Sequence, residues 1–375
     1  MRTRIFSAGV FCLLSAVSAR SQARPDSKPQ VSDQVFKNIQ ALKGIPVNEF
    51  MATMGFISAS LGETCTDCHI GESGGSWDRY ADDTPRKRTA RRMITMVSAI
   101  NKSYFAGQRV ITCYSCHRGG ERPRVTPSLA DLYGPPHPEE PDQIFKEGPN
   151  KPTADQVLDR YLEALGGAQR LAAVKSFSAK GTYKGFSDID KNALELFAKA
   201  PNLRTTIVHT GNGDSISAFD GRTGWNAAPA TDSPVSVLEL TGGDLDGARL
   251  DAELAFPAQI KQSLKQWRIG YPATIDDKDM QVVQGTADGR YPVNFYFDSK
   301  TGLLARLVRF ADSPIGLSPT QIDYSEYRDV SGVKMPFRWT VTWLDGRALF
   351  ELTQVQANAA IDNGKFAKPV PSPAK

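Results

Sequence analysis

Along the first third of the chain apolar side chains recur every three or four positions, the period of a helix face; along the last half they alternate, the period of a strand. Val35, Phe36, Ile39 and Leu42 predict a helix that Gly44 stops. Pro46 can open a second helix to about Ser60, with Phe50, Met54, Ile57 and Leu61 on one stripe. Residues 71–83 are rich in Gly, Ser and Asp and read as a surface loop. Thr84-Pro85 is a cap followed by a proline at the first helical position. It predicts a helix to about Tyr104 with Met93, Met96, Val97 and Ile100 facing inward. Prolines 123, 127, 135, 136, 138, 141, 149 and 152 then make residues 119–153 an extended linker, expected to drape over the helical unit.

A second unit starts at 154. Val157, Leu158, Tyr161, Leu162 and Leu165 predict an amphipathic helix closed by Gly166-Gly167. Strand signals follow. Alternation is clear in Asn294–Phe297, Leu303–Phe310 and Phe337–Trp343, and Asp220-Gly221 and Asp345-Gly346 are turn dipeptides beside such runs. One helix, roughly Ala248–Leu264, interrupts the strands. A long antiparallel sheet curled over helices is the economical arrangement. The chain is therefore expected to be multidomain: a mainly α domain over 24–120, the linker over 121–153, an α+β domain with a curved antiparallel sheet over 154–365, and a Pro-rich tail over 366–375.

The first 23 residues read as an export signal. Arg2 and Arg4 precede a short apolar run from Ile5 to Ala16, and Val17-Ser18-Ala19 or Ser21-Gln22-Ala23 offers small residues for cleavage. The run is shorter than the about 20 apolar residues a membrane helix needs. Cys12 lies inside it, and Gly9-Val10-Phe11 does not make a lipoprotein box. The expected location is the periplasm, free or at the periplasmic face of the cytoplasmic membrane. A net charge of +4 on 375 residues, with no basic run interleaved with aromatics, does not argue for nucleic acid.

The chemistry lies in Cys65-Thr66-Asp67-Cys68-His69 and Cys113-Tyr114-Ser115-Cys116-His117. C-x-x-C-H is the c-type haem attachment pattern. Two thiols add to the two vinyl groups as thioethers, and the adjacent histidine supplies one axial nitrogen to iron. The two motifs use four of five cysteines and two of four histidines. A redox C-x-x-C needs no histidine, and zinc would need further ligands nearby. Two covalent haem c groups are expected, on Cys65 and Cys68 with His69, and on Cys113 and Cys116 with His117. Each motif follows a helix with paired methionines, Met51 and Met54 before the first, Met93 and Met96 before the second. A thioether as second axial ligand suits electron transfer at a raised potential. Three-residue spacing puts both members of a pair on a similar helix face, so the sequence does not choose between them. The two spare histidines are His137, in the linker, and His209, expected to be an ordinary strand residue.

Over residues 31–120 the chain resembles the cytochrome c subunit of photosynthetic reaction centres. The resemblance rests on Val35-Phe36-Lys37-Asn38-Ile39-Gln40-Ala41-Leu42, on Glu49-Phe50-x-x-x-Met54 and on the first haem motif. It is closer in Ala90-Arg91-Arg92-Met93-x-x-Met96-Val97, Ile100-Asn101 and Thr112-Cys113-Tyr114-Ser115-Cys116-His117-Arg118-Gly119. It implies Met54 and Met93 as distal ligands, with Met51 and Met96 the alternatives. It also implies redox partner proteins, among them a membrane-bound reaction centre or a respiratory complex. The family's usual member carries four haems and this chain has two motifs; no histidine lies between Asn101 and Ile111, where the family often has one. The second unit resembles, more weakly, the lipoprotein-carrier half-barrel through Tyr296–Leu304, Tyr324–Pro336 and Asp220–Trp225. That resemblance implies a concave face for an apolar ligand, or a docking partner.

The reading is an electron carrier and not an enzyme. An exported lipid- or lipoprotein-binding module with a redox haem unit is the alternative. A dihaem peroxidase, which needs an open, high-spin iron, is a third. The arginines and lysine from Arg86 to Arg92 are expected to balance haem propionates, steer an acidic partner or form a solvated helix end.

Overall fold

The computed structural model describes residues 28–71, 77–133, 145, 152–186 and 188–370. The export segment, Cys12 and His137 lie outside the described residues. Among the described residues the first part holds helices and no named strand: α1 (Ser32–Val35), α2 (Val47–Leu61), α3 (Cys65–Cys68), α4 (Pro85–Tyr104), α5 (Cys113–His117) and α6 (Leu129–Tyr133). None of the described helices is long and apolar enough to cross a membrane.

The ends of α2 and α4 fall where their punctuation places them. Pro46 caps α2, and Gly62, in the left-handed region at φ +67°, closes it. The Thr84 hydroxyl accepts from the Lys87 amide at 3.1 Å and Pro85 opens α4. The helix predicted over 35–42 is corrected to the single turn α1. Phe36 is extended, and Asn38 and Leu42 take left-handed backbone at φ 58° and 62°. Tertiary bonds win there: the Asn38 amide donates to the Ala81 carbonyl and Asp83, and the Ser32 hydroxyl to the Leu42 carbonyl. On α4 the buried face is Ile94, Val97 and Asn101, while Met96 is 44% exposed and not inward.

After α7 (Ala154–Ala164) and α8 (Ala168–Ala173) come fourteen strands in one antiparallel sheet. They are β1 (Ser176–Lys184), β2 (Asn192–Lys199), β3 (Leu203–Thr210), β4 (Gly213–Phe219), β5 (Gly224–Ala227), β6 (Val237–Glu239), β7 (Gln266–Ile269), β8 (Ala273–Ile275), β9 (Lys278–Thr286), β10 (Val293–Asp298), β11 (Leu304–Ser313), β12 (Gly316–Val330), β13 (Val333–Trp343) and β14 (Gly346–Ala357). The order is 6-5-4-3-2-1-14-13-12-11-10-9-7, with β8 also on β9, so the first and last strands meet in the middle. Asp220-Gly221 lies in the β4–β5 turn; the β13–β14 turn is Leu344-Asp345, with Gly346 opening β14 opposite Trp343. The helix predicted over 248–264 is corrected to α9 (Gly242–Leu254), a 3-10 turn and α10 (Ile260–Ser263); Pro257 breaks the run.

The main core lies between one face of the sheet and α7 to α10, with Leu158, Tyr161, Leu165, Leu250 and Ile260 set against Phe295, Phe297 and Leu307. Next to it is a cavity of about 1270 Å³, lined by Phe177, Trp225, Tyr324, Trp339 and Phe350 and bordered by Asn48 and Ala52 of α2. A second, small core joins the helices to the sheet. Phe56 and Ile94 pack on Ile315, from the β11–β12 turn, with Leu344 of the β13–β14 turn beside them. The described part of the linker touches both units: Glu121 pairs with Arg86 of α4 at 3.2 Å, the Arg124 amide donates to the Cys116 carbonyl of α5 at 2.9 Å, and Phe145 lies on the sheet. The Phe145 amide donates to the Gln284 side chain at 2.9 Å, and its ring fills the space a side chain on Gly270 would need.

Candidate haem sites

Each C-x-x-C-H segment is one helical turn, which brings its two cysteines to one side, three positions apart. Local capping closes each turn. The Asp67 carboxylate accepts from the Thr64 amide at 2.6 Å, and this bond holds its carboxyl below the usual range. The Ser115 hydroxyl accepts from the Thr112 amide at 3.0 Å. All four thiols are free; Cys65 and Cys116 are exposed, Cys68 and Cys113 half-buried. Burial pushes the Cys68 and Cys113 thiols up.

Both histidines are held by the same device. His69 Nδ1 lies 3.0 Å from the Tyr80 carbonyl, and His117 Nδ1 lies 3.1 Å from the Gly120 carbonyl. A carbonyl only accepts, so each Nδ1 carries the proton and each Nε2 keeps its lone pair for a metal. His69 also stacks on the Tyr80 ring, centroids 4.7 Å apart, and burial holds its pKa below the ordinary value, so the imidazole stays neutral. Tyr80 and Gly120 escape sequence reading because the group used is a backbone carbonyl, which any residue has. Among the described residues no three His, Cys, Asp or Glu side chains gather to hold a bare metal ion. Paired thiols beside an imidazole with a fixed Nδ1 proton fit a c-type haem.

The two motifs share a scaffold. α2 packs on α5, and α4 touches both α3 and α5. The Gly119 amide, just past the second motif, donates to the Ser60 carbonyl of α2 at 2.9 Å. Gly62 sits so close that a Cβ there would come within 2.5 Å of the Gly119 carbonyl oxygen. Cys113 packs on the small Phe56–Ile94–Ile315 core. Met51, Met54 and Met93 are half-buried on their helices.

The basic start of α4 is largely engaged within the chain. Arg86 pairs with Glu63 at 2.9 Å and Glu121 at 3.2 Å, and Arg91 with Asp83 at 2.7 Å. Lys87 Nζ donates to the carbonyls of Tyr80 and Asp82 at 2.6 and 2.7 Å. Arg88 and Arg92 remain exposed. His209 is a strand residue of β3 beside Asp214, at 2.8 Å.

Polar contacts tie the helices to the sheet unit. Asn48 donates to Asp244 at 3.0 Å and accepts from the Thr241 hydroxyl at 2.7 Å. Arg109 pairs with Asp312 and donates to the Ser313 carbonyl and to Tyr291. The Trp77 indole donates to the Ala230 carbonyl at 2.9 Å. Burial of Asp244 raises its pKa.

Residues 13–155 match the family model described as photosynthetic reaction centre cytochrome C subunit. The chain is 36% identical over 103 residues to the photosynthetic reaction center cytochrome c subunit of Thermochromatium tepidum, covering 26% of this chain and 24% of that one. It is 31% identical over 104 residues to the protein of the same name from Rubrivivax gelatinosus, covering 26% of each. The chain thus spans about a quarter of the length of these curated relatives. Solved structures similar to the sheet unit include a LolA superfamily protein from Nitrosomonas europaea, at 13% identity and TM-score 0.39 over 58% of this chain and 99% of that one. Another is a putative outer membrane lipoprotein-sorting protein domain from Vibrio parahaemolyticus, at 10% identity and TM-score 0.40 over 57% and 97%.

Proposed function

We propose that this protein is an exported dihaem c-type cytochrome that carries single electrons. The observation that carries the reading is the repeated site: two capped C-x-x-C-H turns, each with its histidine Nδ1 pinned to a backbone carbonyl. Cys65, Cys68, Cys113 and Cys116 hold the two groups as thioethers, and His69 and His117 supply the proximal nitrogens. Met54 and Met93 are the distal ligands, with Met51 and Met96 the alternatives. A c-type haem supplies a one-electron ferric/ferrous couple. The chain's own work is to fix the imidazole tautomer and hold both motifs on one scaffold. Fixed ligands lower the reorganisation that each electron would otherwise require. The chain divides into a haem unit over 24–120, a linker over 121–153 and a sheet unit over 154–365. The partners are redox proteins, with a membrane-bound reaction centre or respiratory complex as the leading class.

The test is the intact mass of the exported protein and the spectrum of its oxidised form. Two covalent haems, with the methionine-to-iron charge-transfer band at the red edge, are expected. A high-spin spectrum would point to a peroxidase and refute this reading. Met54→Ala and Met93→Ala should each lower one midpoint potential; unchanged potentials in both would move ligation to Met51 and Met96 or elsewhere.

The 1270 Å³ cavity favours a second reading, an apolar-ligand or docking role for the sheet unit. Lipid extraction of the purified protein tests it: a stoichiometric apolar molecule supports it, and an empty extract from membrane-equilibrated protein refutes it.

A further inference from the structure

The two histidines differ in what else touches the carbonyl that holds them. The Tyr80 carbonyl oxygen accepts twice: from His69 Nδ1 at 3.0 Å and from Lys87 Nζ at 2.6 Å. The same ammonium reaches the Asp82 carbonyl at 2.7 Å, so both of its acceptors are backbone oxygens of one turn. Lys87 is placed by the cap of α4. Its amide donates to the Thr84 hydroxyl, which in turn donates to the Cys68 carbonyl at 2.7 Å. One short network therefore links the lysine to the cysteine and to the histidine of the first motif. The Gly120 carbonyl, which serves His117 at 3.1 Å, has no lysine or arginine on it among the described residues.

An acceptor already engaged by a cation draws less on an imidazole N–H. The outer partner of a ligating histidine tunes its donor strength, and a weaker partner makes a weaker donor. A weaker nitrogen donor and a nearby positive charge both disfavour ferric over ferrous iron. The two effects have the same sign.

We propose that Lys87 is a positioning residue that biases the first haem site toward its reduced state, by sharing the Tyr80 carbonyl with His69 and weakening that acceptor. This rests on the reading of Cys65–His69 as a haem site. Among the described residues the second site lacks the device, so a chain with two similar motifs holds two unequal couples.

Potentiometric titration of the full-length, haem-loaded protein tests the proposal, after covalent haem has been counted by mass. Lys87→Met should lower one of the two midpoints so that the ferric-to-ferrous ratio changes about tenfold at fixed ambient potential, roughly 59 mV for a one-electron couple. The other midpoint should stay in place, and Lys87→Arg should restore most of the loss. Lys87→Gln, which keeps a polar donor without the charge, covers the case in which the methionine variant misfolds, and should lower the same midpoint. Haem present with both midpoints unmoved in the Met and Gln variants would overturn the proposal alone, as would an equal shift of both. No covalent haem in the unmodified protein would overturn the functional reading beneath it as well.

Discussion

Ile315 lies on a sheet turn, yet its side chain belongs to the core of the haem-site helices. It is 2% exposed and packs on Phe56 and Ile94, and Cys113 packs on the same cluster. Ile315→Ala removes three carbons from that core. At about 0.8 kcal/mol per methylene the lost transfer energy is roughly 2.4 kcal/mol. The hole adds to it, because the two turns and α2 cannot all collapse inward, and about 3 to 4 kcal/mol is a fair total for a buried isoleucine. For a helical unit of about 100 residues this corresponds to a fall in melting temperature of more than 10 °C. The assay is a thermal scan followed at two signals, the visible haem bands for the helices and far-ultraviolet dichroism for the sheet. The haem signal should melt early although the substitution lies in the sheet. If it melts at the temperature of the unmodified protein, the shared core carries no stability and the two units are merely adjacent.

Gly62→Ala should cost about 2 to 4 kcal/mol, from left-handed backbone at φ +67° and from a Cβ 2.5 Å from the Gly119 oxygen; denaturant unfolding measures it, and an unchanged midpoint would refute the close approach. Asp244 is half-buried and its desolvation raises its pKa, so its carboxyl favours the folded state when protonated and costs stability when ionised. Asp244→Asn should therefore stabilise the protein at pH 7, with the gain fading as pH falls through the raised folded value toward the ordinary carboxylate value. Parallel melts of the two proteins across that range check this, and a gain that persists at low pH would contradict it.

Much of the site was legible because its chemistry is local. Two thiols and a histidine within five residues and a methionine-bearing helix before each motif are all neighbours in sequence. The same holds for the Thr84-Pro85 start of α4 and for the turn glycines of the sheet. Pattern failed where a distant bond outweighed it. Residues 35–42 have helical spacing, but Asn38 bonds to Ala81 and Asp83, and the helix shrinks to one turn. The run ahead of Leu264 breaks at Pro257, which cannot continue the backbone ladder.

By itself, then, the sequence determined the two C-x-x-C-H motifs on which the proposed haem sites rest, and the change from a helical first part to a stranded second part. Only the tertiary structure decided which atom orients each imidazole, that a lysine shares one of those acceptors, and that a sheet turn completes the core beneath the second motif. The physical reason is the same in each case. A backbone carbonyl carries no residue signature, and the meeting of Ile315 with Phe56 spans more than 250 positions. Such contacts exist only once the chain has closed its long loops, and no local period or spacing records them.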